Sequence, residues 1–153
     1  MRSNLSVILL LILTATSARA QTLVPLKIWV KTSNLNSPVD VGYLGARCSG
    51  LYAAGAYYLE YNGNKSDEET IKILRAKGDI FRNVSLVLDM QVNKKSNEAI
   101  IAQGKLLSET YTKMIVHNKQ LNGNGLTGTV MDDFEVCTSH TSSFDKLNQS
   151  ISK

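Results

Sequence analysis

The stretch Gly45-Ala46-Arg47-Cys48-Ser49-Gly50-Leu51-Tyr52, "GARCSGLY", holds one of only two cysteines in a chain of 153 residues; the other, Cys137, stands in "DDFEVCTSH". A lone cysteine among small residues is either a reactive thiol or half of a crosslink. What surrounds it also decides the fold. Around it, Val41, Leu44, Cys48, Leu51, Gly55 and Tyr58 recur at three- and four-residue spacing, which predicts a helix from Val41 to Tyr61 with Asp40 as its cap. Gly42, Gly45, Gly50 and Gly55 weaken that helix by about 1 kcal/mol each relative to Ala, so it needs support from its neighbours. The same small residues let another helix come close enough for a disulfide.

The first twenty residues, MRSNLSVILLLILTATSARA, favour the crosslink. An early Arg2, an apolar run from Leu5 to Leu13 and a small-x-small end at Ala18-Arg19-Ala20 have the layout of a secretory signal peptide cleaved before Gln21. The apolar run is shorter than the roughly 20 residues a membrane span needs. Residues 21–153 are then a single helical domain with no membrane span. In an oxidising compartment two cysteines are read first as a pair, Cys48 with Cys137. Closing a loop of that length contributes on the order of 4–5 kcal/mol in the chain-entropy account. The expected location is exported, periplasmic or extracellular.

Outward from the central helix, the remaining segments read as helices too. "TLVPLKIWVKTS" alternates apolar and polar positions without a partner strand, so residues 22–33 are expected as an extended lead-in laid across helices. Ser66 and Glu69 form a capping box opening a helix whose stripe, Ile71, Leu74, Phe81, Val84, Leu88 and Val92, keeps phase across Gly78. After a polar break at Asn93 to Asn97 comes the clearest helix: Ile100, Gly104, Leu107, Tyr111, Met114, Asn118 and Leu121, ending in Asn122-Gly123-Asn124-Gly125. Val130, Phe134, Cys137, Phe144, Leu147 and Ile151 give a last helical phase, with an interruption expected near "TSHTSS". The sum is an all-α fold, a small four-helix-type bundle with an extended N-terminal lead-in, pinned by one disulfide.

Chemistry is sparse. Asp133, Cys137 and His140 lie at i, i+4 and i+7, a metal-ligand spacing that requires a reduced Cys137 and so conflicts with export. The alternative assigns the acidic residues to favourable charge at a helix N-terminus, and no cofactor or metal is expected. Cys48 as a nucleophile would need His117 or His140, and no known signature surrounds it. The net charge of +4 falls to +2 once Arg2 and Arg19 leave with the signal, and only Lys94 and Lys95 are adjacent, a balance that excludes nucleic acid as a partner. Tyr43, Tyr52, Tyr57, Tyr58 and Tyr61 are too many for one buried stripe, which makes Tyr52, Tyr57 and Tyr58 the binding candidates. Beyond the expected signal peptide, N-glycosylation triplets at Asn64, Asn83 and Asn148 matter only in a eukaryotic source.

"ARCSGLY" followed by a small-residue helix, with a second cysteine near the C-terminus, resembles short exported helical proteins of unassigned function from bacterial, notably aquatic, genomes and their viruses. That resemblance implies export and a disulfide-pinned bundle, and no activity. The two-cysteine plan is broadly similar to periplasmic acid-stress chaperones, which have a shorter inter-cysteine spacing and whose motifs are not matched here. The expected function is an exported non-enzymatic domain that binds a protein or envelope component. A periplasmic stress chaperone is the alternative, and a thiol- or metal-dependent hydrolase a further one.

Overall fold

A computed structural model describes residues 23–63 and 65–152 of the chain, so the expected signal peptide lies outside the described residues. Helix α1 is Leu26–Trp29, α2 Pro38–Asn62, α3 Glu68–Val87, α4 Asn97–Asn122 and α5 Thr129–Ile151. Among the described residues there is no strand, and no helix is long and apolar enough to cross a membrane. The all-α bundle with its Cys48–Cys137 disulfide is thus the fold of this chain.

Helix α2 is the axis on which the others are laid. It contributes Leu44, Cys48, Leu51, Tyr52 and Ala54 to a core completed by Phe81 and Val84 of α3, Tyr111 and Ile115 of α4, and Val130, Cys137 and Phe144 of α5. Leu107 of α4 is also buried. Two α2 glycines set the spacing. A Cβ on Gly45 would lie 3.0 Å from the Phe81 carbonyl oxygen of α3, and one on Gly50 would lie 3.1 Å from the Ser108 amide nitrogen of α4. The helices approach here at backbone distance, as the small residues around Cys48 suggest. Rings fill the remaining space: Phe81 packs against both Tyr52 and Phe144, with centroids 5.7 and 4.4 Å away.

Several local expectations are corrected. The lead-in does cross the other helices, but it coils into the single turn α1 instead of running extended. Its amides at Ile28 and Trp29 donate to the Pro25 carbonyl, and Leu26 is buried. Ser37, not Asp40, is the N-cap residue of α2, and Pro38 supplies the preset φ of a first helical position. Asp40 instead accepts the Asn34 amide, closing the preceding turn. At α3 no side-chain cap forms: a 3-10 turn at Lys65–Asp67 leads into the helix, so Ser66 and Glu69 do not make a capping box. Helix α3 does run unbroken through Gly78, as its phase suggests. It then widens into a π turn at Leu88–Val92. Helix α5 continues through "TSHTSS" without interruption, and within it Ser139 and Thr141 donate their hydroxyls to the Val136 and Cys137 carbonyls of the same helix.

Candidate functional site

The two faces of α2 differ in kind. At 3.6 residues per turn, Ala46 and Cys48 lie about 200° apart around the helix, so each belongs to a different neighbourhood.

On the Cys48 side a buried polar network stands beside the disulfide. Arg47 and Asp133 are fully buried and form an ion pair, Nη2 to Oδ2, at 2.7 Å. Tyr111 donates its hydroxyl to the same Oδ2 at 2.6 Å and accepts from Arg47 Nε at 2.9 Å. Asp133 Oδ1 accepts the Leu26 amide, and Arg47 Nη1 donates to the Val24 carbonyl. Each nitrogen of the buried guanidinium and each oxygen of the carboxylate has at least one partner, supplied by four segments of the chain. Burial opposes the Arg47 charge, yet Tyr111, Tyr43 and Asp133 outweigh it and the guanidinium holds its proton more tightly than usual. Burial pushes the Tyr111 hydroxyl well above the ordinary phenol range, against Arg47 and with the help of Asp133.

This network reassigns three residues. Asp133 is neither a metal ligand nor a solvated N-terminal charge, since its carboxylate is engaged by Arg47, Tyr111 and Leu26. Cys137 is bonded to Cys48, Sγ to Sγ 2.06 Å with Cα atoms 5.5 Å apart, so neither sulfur is a thiol. His140, half-buried on α5, has neither as a metal-site companion, and no group of three metal-ligating side chains exists among the described residues. Sequence reasoning missed the ion pair, although a signal was present. Arg47 precedes Cys48, and Asp133 stands four residues before Cys137, one helical turn. Joining the cysteines therefore brings the charges together.

On the Ala46 side α2 is open. Helices α3 and α4 flank it, leaving a trough whose floor is Ala46, Ser49, Gly50, Ala53 and Ala56. Its wider part, about 730 Å³, is edged by Tyr57, Glu60, Arg75, Asp79, Glu109 and Lys113. Arg75 pairs with Glu60 at 2.8 Å, and Arg82 with Asp79 at 3.0 Å. The narrower part, about 370 Å³, is lined by Leu86, Ile100, Ile101 and Gly104 together with Arg82, Ser85, Asp89 and Gln103. Of the tyrosine candidates, Tyr52 is buried and packs on Phe81 and Phe134. Tyr58 is half-buried under Lys119, whose ammonium lies 5.3 Å from its ring centroid. Tyr57 alone of the three reaches the trough. It is half exposed and contacts the more exposed Tyr61, their ring centroids 4.4 Å apart.

Compared with protein-family models, curated proteins and solved structures, the chain matches none.

Proposed function

We propose that the chain acts as an exported, non-enzymatic binding domain whose trough over α2 receives a segment of another protein. The observation that carries this reading is the trough itself. Helix α2, packed by three neighbours, leaves Ala53 exposed and Ala46 and Ser49 half-exposed between α3 and α4, whose facing sides carry Arg75, Asp79, Glu109 and Lys113, while its own Tyr57 stands at the edge of the trough beside Tyr61. Small floor residues admit a partner backbone closely. Tyr57 and Tyr61 offer apolar area with polar tips, the composition favoured at interfaces. The disulfide supports the exported setting, because such bonds persist in oxidising compartments. It also withdraws Cys48 as a nucleophile, leaving the hydrolase alternative without its thiol.

A photo-crosslinking residue introduced at Ala53, and separately at exposed Lys146 of α5, tests the reading in the exported fraction of the source cells. The expected result is a discrete crosslinked protein from position 53 that is absent from position 146, with an intact mass starting at Gln21. Equal or no crosslinking at the two positions overturns the trough as a protein site, and a mass retaining Met1 overturns cleavage. Suppression of client aggregation as pH falls, with no discrete partner, would favour the stress chaperone.

A further inference from the structure

Residues 23–33, with the single turn α1 among them, are held by two helices at once. The Leu26 amide donates to Asp133 Oδ1 of α5 at 2.6 Å, and the Val24 carbonyl accepts from Arg47 Nη1 of α2 at 2.9 Å. Trp29 packs on Tyr43 of α2 with ring centroids 5.0 Å apart, and Lys27 pairs with Asp132 of α5 at 3.8 Å. These are the two helices that the disulfide joins. The residues that hold the segment also stand beside its sulfurs, Arg47 next to Cys48 and Asp133 one helical turn before Cys137. Leu26, the only fully buried residue of the segment, lies in one core cluster with both cysteines. The segment is a strap laid across the seam of α2 and α5.

The rest of the bundle has ties of its own. Helix α2 meets α3 and α4 at Gly45 and Gly50, and α5 is held by Phe144 on Phe81 and by Phe134 on Tyr52, with centroids 4.4 and 5.5 Å apart. No strap residue takes part in these contacts. The two sulfurs are fully buried. Two thiols need more room than one disulfide, and in a close-packed site that room comes from α2 and α5 moving apart beneath the strap. Hydrogen bonds that reach one strap from both helices tolerate little such movement. We infer that the strap is coupled to the crosslink: docked while Cys48–Cys137 is oxidised and released when it is reduced, with the four long helices still packed. The reductant is an external dithiol. Its thiolate attacks one sulfur and breaks the Sγ–Sγ bond, and its second thiol then displaces the mixed disulfide. Two electrons and two protons end on Cys48 and Cys137, and the reagent leaves as a cyclic disulfide. Coupling of this kind is reciprocal, so weakening the strap makes the bond easier to reduce by the factor with which reduction weakens the strap.

The coupling makes no use of the trough and stands or falls apart from the binding reading. Trp29 is the only tryptophan of the chain, so its fluorescence reports on the strap. The test brings the intact oxidised protein to equilibrium with mixtures of reduced and oxidised dithiothreitol. Trp29 emission, trypsin cleavage after exposed Lys27 and far-ultraviolet dichroism are followed together. On reduction the emission should shift to that of a water-exposed indole and cleavage after Lys27 should accelerate by roughly 5–150-fold, the usual span of a coupling between two sites. The helical signal should fall by no more than the one turn of α1. Unchanged emission and cleavage in fully reduced, helical protein overturns the coupling, and so does loss of the long helices together with the strap. In the reciprocal direction, Leu26→Ala should move the reduction midpoint toward more oxidising mixtures. The parent, brought to the same global stability with urea, should not follow it. Coincident midpoints would mean that Leu26 acts through global stability alone and would overturn the coupling; should Leu26→Ala fail to fold, the measurements on the parent still decide.

Discussion

One face of α2 is tied to its surroundings by a disulfide and five hydrogen-bond or ionic contacts through Arg47 and Asp133; the face opposite is half-exposed at Ala46 and Ser49 and exposed at Ala53. A single helix thus carries both the most constrained and the least constrained surface of the molecule. The difference teaches that the stability of this glycine-rich helix is concentrated on one side. The other side is free of those constraints.

The sharpest way to break that comparison is at Asp133. Asp133→Ala leaves the Arg47 charge buried without its carboxylate and strips the Leu26 amide and the Tyr111 hydroxyl of their acceptor. It should cost about 3–5 kcal/mol, read as a shift in the urea unfolding midpoint. Ala53→Ser on the trough face should stay within about 0.5 kcal/mol. If the two were equal, the contrast between the faces would be lost.

The disulfide comes next. Cys48→Ser and Cys137→Ser should each lose about 2–5 kcal/mol. Because both remove one bond, the double variant should be no less stable than the worse single one. Strictly additive losses would mean that the sulfurs stabilise the fold separately.

Within the network, Tyr111→Phe removes the hydroxyl that donates to Asp133 and accepts from Arg47 Nε, and should cost about 1–3 kcal/mol. It also carries a pH signature. The folded Tyr111 hydroxyl titrates far above its unfolded value of about 10. Its stabilising contribution is therefore fully present below about pH 10 and is lost as pH rises toward the folded value, because only the unfolded chain ionises in that window. Unfolding midpoints measured between about pH 8 and pH 11 should fall less steeply in Tyr111→Phe than in the parent. Where α2 meets α4, Gly50→Ala should cost about 1–3 kcal/mol through overpacking, since the new Cβ presses on Leu107 and the Ser108 backbone.

How far the sequence reveals this arrangement depends on the kind of signal. The four long helices are legible because periodicity is a local signal, and the crosslink because there are two cysteines to pair. Leu107 and Tyr111 lie on the predicted buried stripe and are buried. Leu121, assigned to the same stripe, is 68 % exposed because it falls in the last turn of α4, beyond the reach of its neighbours. Asn118 serves neither register nor a frayed edge; it donates to the Gly125 and Thr127 carbonyls and holds the turn into α5. Arg47 and Asp133 are distant in sequence and of types that usually face water, so a local pattern could not pair them. Nor could it show the trough, which exists because α3 and α4 flank α2 without closing over it.

The smallest effect tests the open face directly. Gly104 lies in the middle of α4, where a glycine has the conformational cost of a helix interior without any packing reason visible in this structure: nothing stands within 4 Å of an added Cβ. Gly104→Ala should therefore stabilise the protein by up to about 1 kcal/mol, the opposite sign to Gly50→Ala on the other side of the same helix contact. A destabilised Gly104→Ala, measured by the same urea midpoint, would mean that the space beside Gly104 is occupied in solution, and that the trough closes when nothing is bound.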